Sequence, residues 1–174
     1  MLIKSIFTTT LAATVLFFAA GEAFAQEPSR AEARAARMAL SEATDFNMNP
    51  LLNPNMATEA QLSGVDGLSA VQVQAILDGR PFATPTELHS AIGEGADYVD
   101  MFDIYSAVFV TVNINRGETE DYMMIPTTLT PEHIAREVRE YRPYEDIQAD
   151  FVREMEKYVS AKEAAWLERF VRTE

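Results

Sequence analysis

His89 and His133 are the only imidazoles in this 174-residue chain, and there is no cysteine. A zinc site needs three or four nitrogen and sulfur ligands, and neither histidine has such partners at ligand spacing. Both therefore read as structural residues, and His133, in the first turn of a helix, is expected to be exposed. Glu118, Glu120 and Asp121 gather where a helix starts, and the helix dipole favours carboxylates there. Calcium wants oxygen ligands at loop spacing, and no such loop is present, so the cluster reads as a solvated cap. The chain has no Gly-x-Ser-x-Gly, no Ser-x-x-Lys and no phosphate-binding Gly-Lys-Ser/Thr. Arg80 and Arg142 each end a helix and precede a proline, which suits a cation facing the C-terminal dipole. The sequence thus nominates no catalytic residue, no metal ligand and no cofactor, and a non-enzymatic protein is expected.

The first 25 residues differ from the rest. Lys4 precedes an apolar stretch over residues 6–20, and Ala23-Phe24-Ala25 has the small-x-small pattern of a signal-peptidase site. The apolar stretch is shorter than the roughly 20 residues that span a bilayer. Export with cleavage after Ala25 is the expectation; the alternative is an uncleaved anchor over residues 2–20, with Lys4 snorkelling. Without cysteine there is no lipidated N-terminus. An exported chain that does without disulfides suits a bacterial periplasm. The formal net charge is −13, which repels nucleic acid and anionic lipid at long range and favours solubility.

Behind the leader, Ser29 and Glu32 have capping-box spacing before an Ala-rich run to about Glu42. Arg30, Arg34 and Arg37 form one stripe on that helix, read as a solvated face. Asn47 to Pro50 break it and serve as a linker. Two stretches then follow one order of features. Leu52-Asn53 lead to a short helix over 58–64, then Val65-Asp66-Gly67-Leu68-Ser69, a helix over 70–79, and Arg80-Pro81-Phe82. Ile114-Asn115 lead to a helix over 119–124, then a turn through Thr130, a helix over 131–141, and Arg142-Pro143-Tyr144. The repeat has a period of about 62 residues. Ser69 with Gln72, Thr84 before Pro85, Thr130 before Pro131, Asp146, and Ser160 with Glu163 mark helix starts. Only residues 107–112 (AVFVTV) are β-branched enough to be extended, and they read as a buried connector. Most aromatic residues are expected in the core. The fold class is all-α: a signal peptide over 1–25, a helix and linker over 26–50, one unit over 51–112 and a second over 113–174.

Val65 to Ala70, followed by Gln74-Ala75-Ile76-Leu77-Asp78-Gly79-Arg80, resembles the helix-hairpin-helix segment of the bacterial competence DNA receptor. The second stretch resembles it in another dialect, closing on Glu140-Tyr141-Arg142-Pro143-Tyr144. The resemblance covers about residues 52–171 and implies two tandem helix-hairpin-helix units. In DNA-binding members the hairpin is a phosphate site, because glycines allow a tight turn and the next helix's first amides face the anion. Carried over here, the hairpin contacts are Gly67, Leu68 and Ser69 in the first unit and Thr128, Leu129 and Thr130 in the second.

This sequence departs from that pattern at both hairpins. Ser69 stands for the second glycine and Asp66 for the proline, and neither glycine survives in the second hairpin. Arg80 is the only cation between Phe46 and Val110, against eight carboxylates. Phosphate affinity depends on cations and released counterions, so the charge argues against DNA. In the Leu52-Asn53 opening, the hairpin without a second glycine and the Val108 to Val112 stretch, the chain also resembles the extrinsic protein U of photosystem II, an exported, acidic, cysteine-poor protein of the helix-hairpin-helix superfamily that packs on other proteins. The expected function is a protein–protein contact or an accessory subunit of a larger complex, identity unknown. The alternative is periplasmic, sequence-independent binding of double-stranded DNA.

Overall fold

The structure, a computed structural model, describes residues 29–96 and 100–174. The expected signal peptide and its cut after Ala25, and Tyr98 among the expected core aromatics, lie outside the described residues. Among the described residues the chain is mostly helical, and no helix is long and apolar enough to cross a membrane.

Helix α1 (Arg30–Ala43) starts at the Ser29–Glu32 capping box and ends where Thr44 turns extended. It docks at a distance in sequence: Ser41, fully buried, meets Ser160, and α1 packs on the late helix α9 (Ala161–Leu167). The segment after it follows the same route. Phe46 packs its ring 4.6 Å from that of Trp166, and the Trp166 indole and the Arg169 guanidinium both donate to the Asn47 carbonyl. The expected linker is therefore bound to the end of the chain.

Short helix α2 (Glu59–Ser63), capped by Thr58 and Gln61, is followed by α3 (Ala70–Gly79), capped by Ser69 and Gln72. Helix α4 (Pro85–Ile92) places its proline in the first turn, where the missing N–H costs nothing, and α5 (Phe102–Tyr105) comes next. The connector has the expected extended character. A parallel bridge joins Leu52 to Val108, and β1 (Val112–Asn113) pairs in parallel with β2 (Val171–Arg172). Between those strands run α6 (Thr119–Met123), α7 (Pro131–Glu140), a π-helical turn (Ile147–Val152) leading into α8 (Arg153–Met155), and α9 with a closing 3-10 turn.

The repeated contacts are set two positions away from the sequence expectation. Asn55, not Asn53, holds the place of Asn115. Its carboxamide accepts from Phe82 N–H at 2.7 Å and donates to the Phe82 carbonyl at 2.8 Å. Asn115 does the same with Tyr144, at 2.7 and 2.8 Å. Asn53 and Asn113 each cap their own turn by accepting from the N–H two residues on. Both Arg–Pro bonds, Arg80–Pro81 and Arg142–Pro143, are cis.

One apolar cluster runs through all of this. Phe109 meets Phe170 edge-on at 5.3 Å, and Phe102 stacks on Trp166 at 6.0 Å, so aromatics from both stretches share one interior. Phe109, Trp166 and Phe170 are fully buried, and each such ring is worth about 1.5–3 kcal/mol of transfer free energy. The polar seam between the stretches is Thr86 on α4, whose hydroxyl donates to Asp121 on α6 at 2.7 Å.

Candidate functional site

The turn between α2 and α3 carries Gly67, Leu68 and Ser69. Gly67 sits at φ +85°, a conformation that a side chain disfavours, although an added Cβ would find only ordinary contact with Ile104. Leu68 is buried, and its N–H donates to the Val65 carbonyl at 3.2 Å. The Ser69 N–H and hydroxyl both donate to Gln72 Oε1, at 2.9 and 2.8 Å, and Ser69 Oγ accepts from the Gln72 N–H. Two of the three amides expected from the resemblance to face a phosphate, those of Leu68 and Ser69, are thus engaged within the turn. Beside it opens a cleft of about 610 Å³ with Asp45, Asp66, Asp100 and Asp103 on its walls and Leu52, Val65 and Phe102 among its apolar lining. No lysine, arginine or histidine among the described residues lines it.

The turn between α6 and α7 is filled from inside. The carboxylate of Glu163, fully buried on α9, accepts from Thr127 Oγ1 at 2.6 Å and from the Thr128 N–H at 2.7 Å through one oxygen. Its other oxygen accepts from Thr128 Oγ1 at 2.6 Å. The Leu129 N–H donates to Thr127 Oγ1, and Thr130 caps α7 by accepting from the His133 N–H. The turn that the resemblance makes an anion site holds a side chain of the same protein. Sequence reasoning missed this because Glu163 stands at capping-box spacing from Ser160. Ser160 Oγ does accept from the Glu163 N–H, but the return bond is absent: the Ser160 N–H donates to Ser41 Oγ at 2.8 Å. The only local hint was a serine in an alanine-rich helix.

Other candidates resolve into structural roles. Arg80 caps the end of α3 and Arg142 follows the cap of α7, as expected, and each also bonds distant carbonyls. Arg80 reaches back to the Ala57 carbonyl at 2.6 Å. Arg142 reaches the Gly117 carbonyl at 2.7 Å, the Ile114 carbonyl at 2.9 Å and the Tyr122 hydroxyl. Each ties the end of the long helix to the entry of the short one. Asp121, expected in a solvated cap, is buried and bonds Thr86 and the Glu118 N–H. Burial pays off there because Asp121 joins two elements that the sequence places far apart.

His133 is not exposed. Its ring packs edge-on to Tyr158 at 5.1 Å and lies 3.4 Å from Glu137, with 15% of the side chain accessible. Burial lowers its pKa, with the Arg37 and Arg136 charges adding and Glu137 opposing. Burial pushes the Glu137 carboxyl up, but hydrogen bonds from Tyr158 and Arg136 and the nearby cations outweigh it, leaving the pKa below the usual range. His89 Nδ1 lies 2.5 Å from the Tyr105 hydroxyl, whose pKa burial raises. Among the described residues no group of three His, Cys, Asp or Glu side chains could hold a metal ion.

The chain matches no protein-family model, and no curated protein and no solved structure is significantly similar to it.

Proposed function

We propose that this chain is an exported, non-enzymatic protein of two tandem helix-hairpin-helix units that binds another protein, as an accessory subunit of a larger complex. The leader, cut after Ala25, would deliver it to the periplasm. The repeated asparagine and arginine contacts support the tandem reading. The observation that carries the functional reading is the state of the two turns. One holds Glu163 where a phosphate would bind, and the other borders a cleft walled by four aspartates. A polyanion gains little from such surfaces and is repelled by the net charge of −13. Affinity purification of the tagged mature chain from its native envelope, after in-cell crosslinking, tests this. A reproducible stoichiometric partner is the expected result; a chain recovered alone would sink the reading.

Double-stranded DNA binding is the second reading, favoured by Gly67 at φ +85° ahead of a capped helix. It requires a mobility shift of duplex DNA at low ionic strength, a steep loss with salt, and abolition by Gly67→Ala. Absence of any shift in low salt would dispose of it.

A further inference from the structure

Glu163 is a carboxylate with no exposed surface, and no cation among the described residues forms an ion pair with it. A buried carboxylate is costly unless donors replace its water. All three donors come from two adjacent residues: the Thr127 hydroxyl, the Thr128 N–H and the Thr128 hydroxyl, at 2.6, 2.7 and 2.6 Å. One backbone amide and two hydroxyls converging on an oxyanion make a receptor, whatever molecule supplies the anion. Glu163 is available for it because α1 takes its usual work. At capping-box spacing a glutamate returns to the N-cap N–H; here Ser41 of α1 accepts that N–H, and its hydroxyl donates to Ser160 Oγ at 2.9 Å.

We propose that the Thr127–Thr128 turn is a receptor for a small carboxylate-type anion, kept filled by the chain's own Glu163, with α1 as the clasp through Ser41. When α1 leaves, the Ser160 N–H loses its acceptor. Glu163 stands at the spacing to replace it, which withdraws the carboxylate and empties the turn. The device is an internal ligand whose position is set by whether α1 is docked. It stands apart from the partner proposal, since neither protein nor DNA binding enters its readout.

The test is chemical rescue of Glu163→Ala in the full mature chain, with sodium formate as the probe and sodium chloride at equal ionic strength as the control. In the variant the Thr128 amide resonance shifts and saturates with formate, and the thermal midpoint rises by about 2 °C or more over the chloride control. The wild type shows neither response. Equal responses of the variant to formate and chloride would overturn the receptor. A stronger response to inorganic phosphate than to formate would overturn its assignment to carboxylates. Should the variant be unfolded in chloride, refolding followed by circular dichroism replaces the midpoint. Formate-specific recovery then supports the receptor, and none, with Glu163→Gln folded, rejects it. Ser41→Val, which keeps Glu163, is expected to become formate-responsive at Thr128. A response in Glu163→Ala without one in Ser41→Val overturns the clasp.

Discussion

Arg142 donates to two carbonyls and the Tyr122 hydroxyl, and its guanidinium also lies 4.8 Å from the centre of the Tyr122 ring. In the earlier stretch Leu62 holds the place of Tyr122, and Arg80 is left with the Ala57 carbonyl and a buried Nε that finds no partner among the described residues. Hydrogen bonds from charged donors contribute about 1.5–3 kcal/mol each, and an unpaired buried donor costs about 1–3 kcal/mol. Arg142→Met should therefore lower stability in urea by about 3 kcal/mol and Arg80→Met by about 1 kcal/mol; equal losses would contradict this account. The sequence placed both arginines at helix ends correctly, but their targets precede them by twenty residues or more, beyond any local rule. His133 makes a prediction with a sign. Because its folded pKa is lowered, the unfolded chain binds more protons there, so stability from this group is full above the unfolded value of about 6.5 and is lost as pH falls below it. Glu137 is also lowered, but its contribution is lost only as pH falls through its folded value, below the ordinary carboxylate range, and so outside that window. Stability measured from about pH 7.5 to 5.5 should fall in the wild type and stay flatter in His133→Gln.

Helix α1 has few ways to hold itself in place. Its alanines and Leu40 are largely exposed, and its anchors include Ser41 on Ser160, Arg34 on the Lys157 carbonyl, Lys162 on the Thr44 carbonyl at its end, and the Phe46–Trp166 contact beyond it. Ser41→Val removes the acceptor for the Ser160 N–H and should cost about 1–3 kcal/mol. Hydrogen exchange should then quicken over residues 30–43 while α7 and the core of α9 keep their protection; unchanged exchange in α1 would refute its dependence on this serine. The helix itself was legible from the Ser29–Glu32 box and the alanine run, because those are contacts within one turn. Its docking was not, since the stripe of Arg30, Arg34 and Arg37 reads as a solvated face. The turn before α3 tests the other element-level reading. Gly67→Ala meets no steric block, so its cost should be only about 1–2 kcal/mol, the penalty for a left-handed residue. The variant should therefore stay folded, and any DNA binding it lost could not be blamed on unfolding.

At the scale of the whole molecule, the apolar interior is continuous from Phe46 to Val171, and Phe109–Phe170, Phe102–Trp166 and Thr86–Asp121 cross between the two repeated stretches. Such sharing predicts one cooperative transition. Tryptophan fluorescence and far-ultraviolet circular dichroism should give coincident urea curves, and separated midpoints would mean that the stretches unfold independently. The charge of −13 acts on the same scale, setting long-range repulsion from polyanions irrespective of which side chain faces which. By itself the sequence determined the helical character and most helix starts, because caps, prolines and apolar periodicity act over three or four residues. Tertiary structure alone decided the matching contacts of Asn55 and Asn115 with Phe82 and Tyr144, the burial of Asp121 and His133, and the seating of α1. It also decided the fate of the second turn. Thr127 meets Glu163 across 36 residues, and Ser41 meets Ser160 across 119. Glu163 had two chemically sound destinations, the N-cap amide nearby or the distant turn, and only the docking of a third element chose between them.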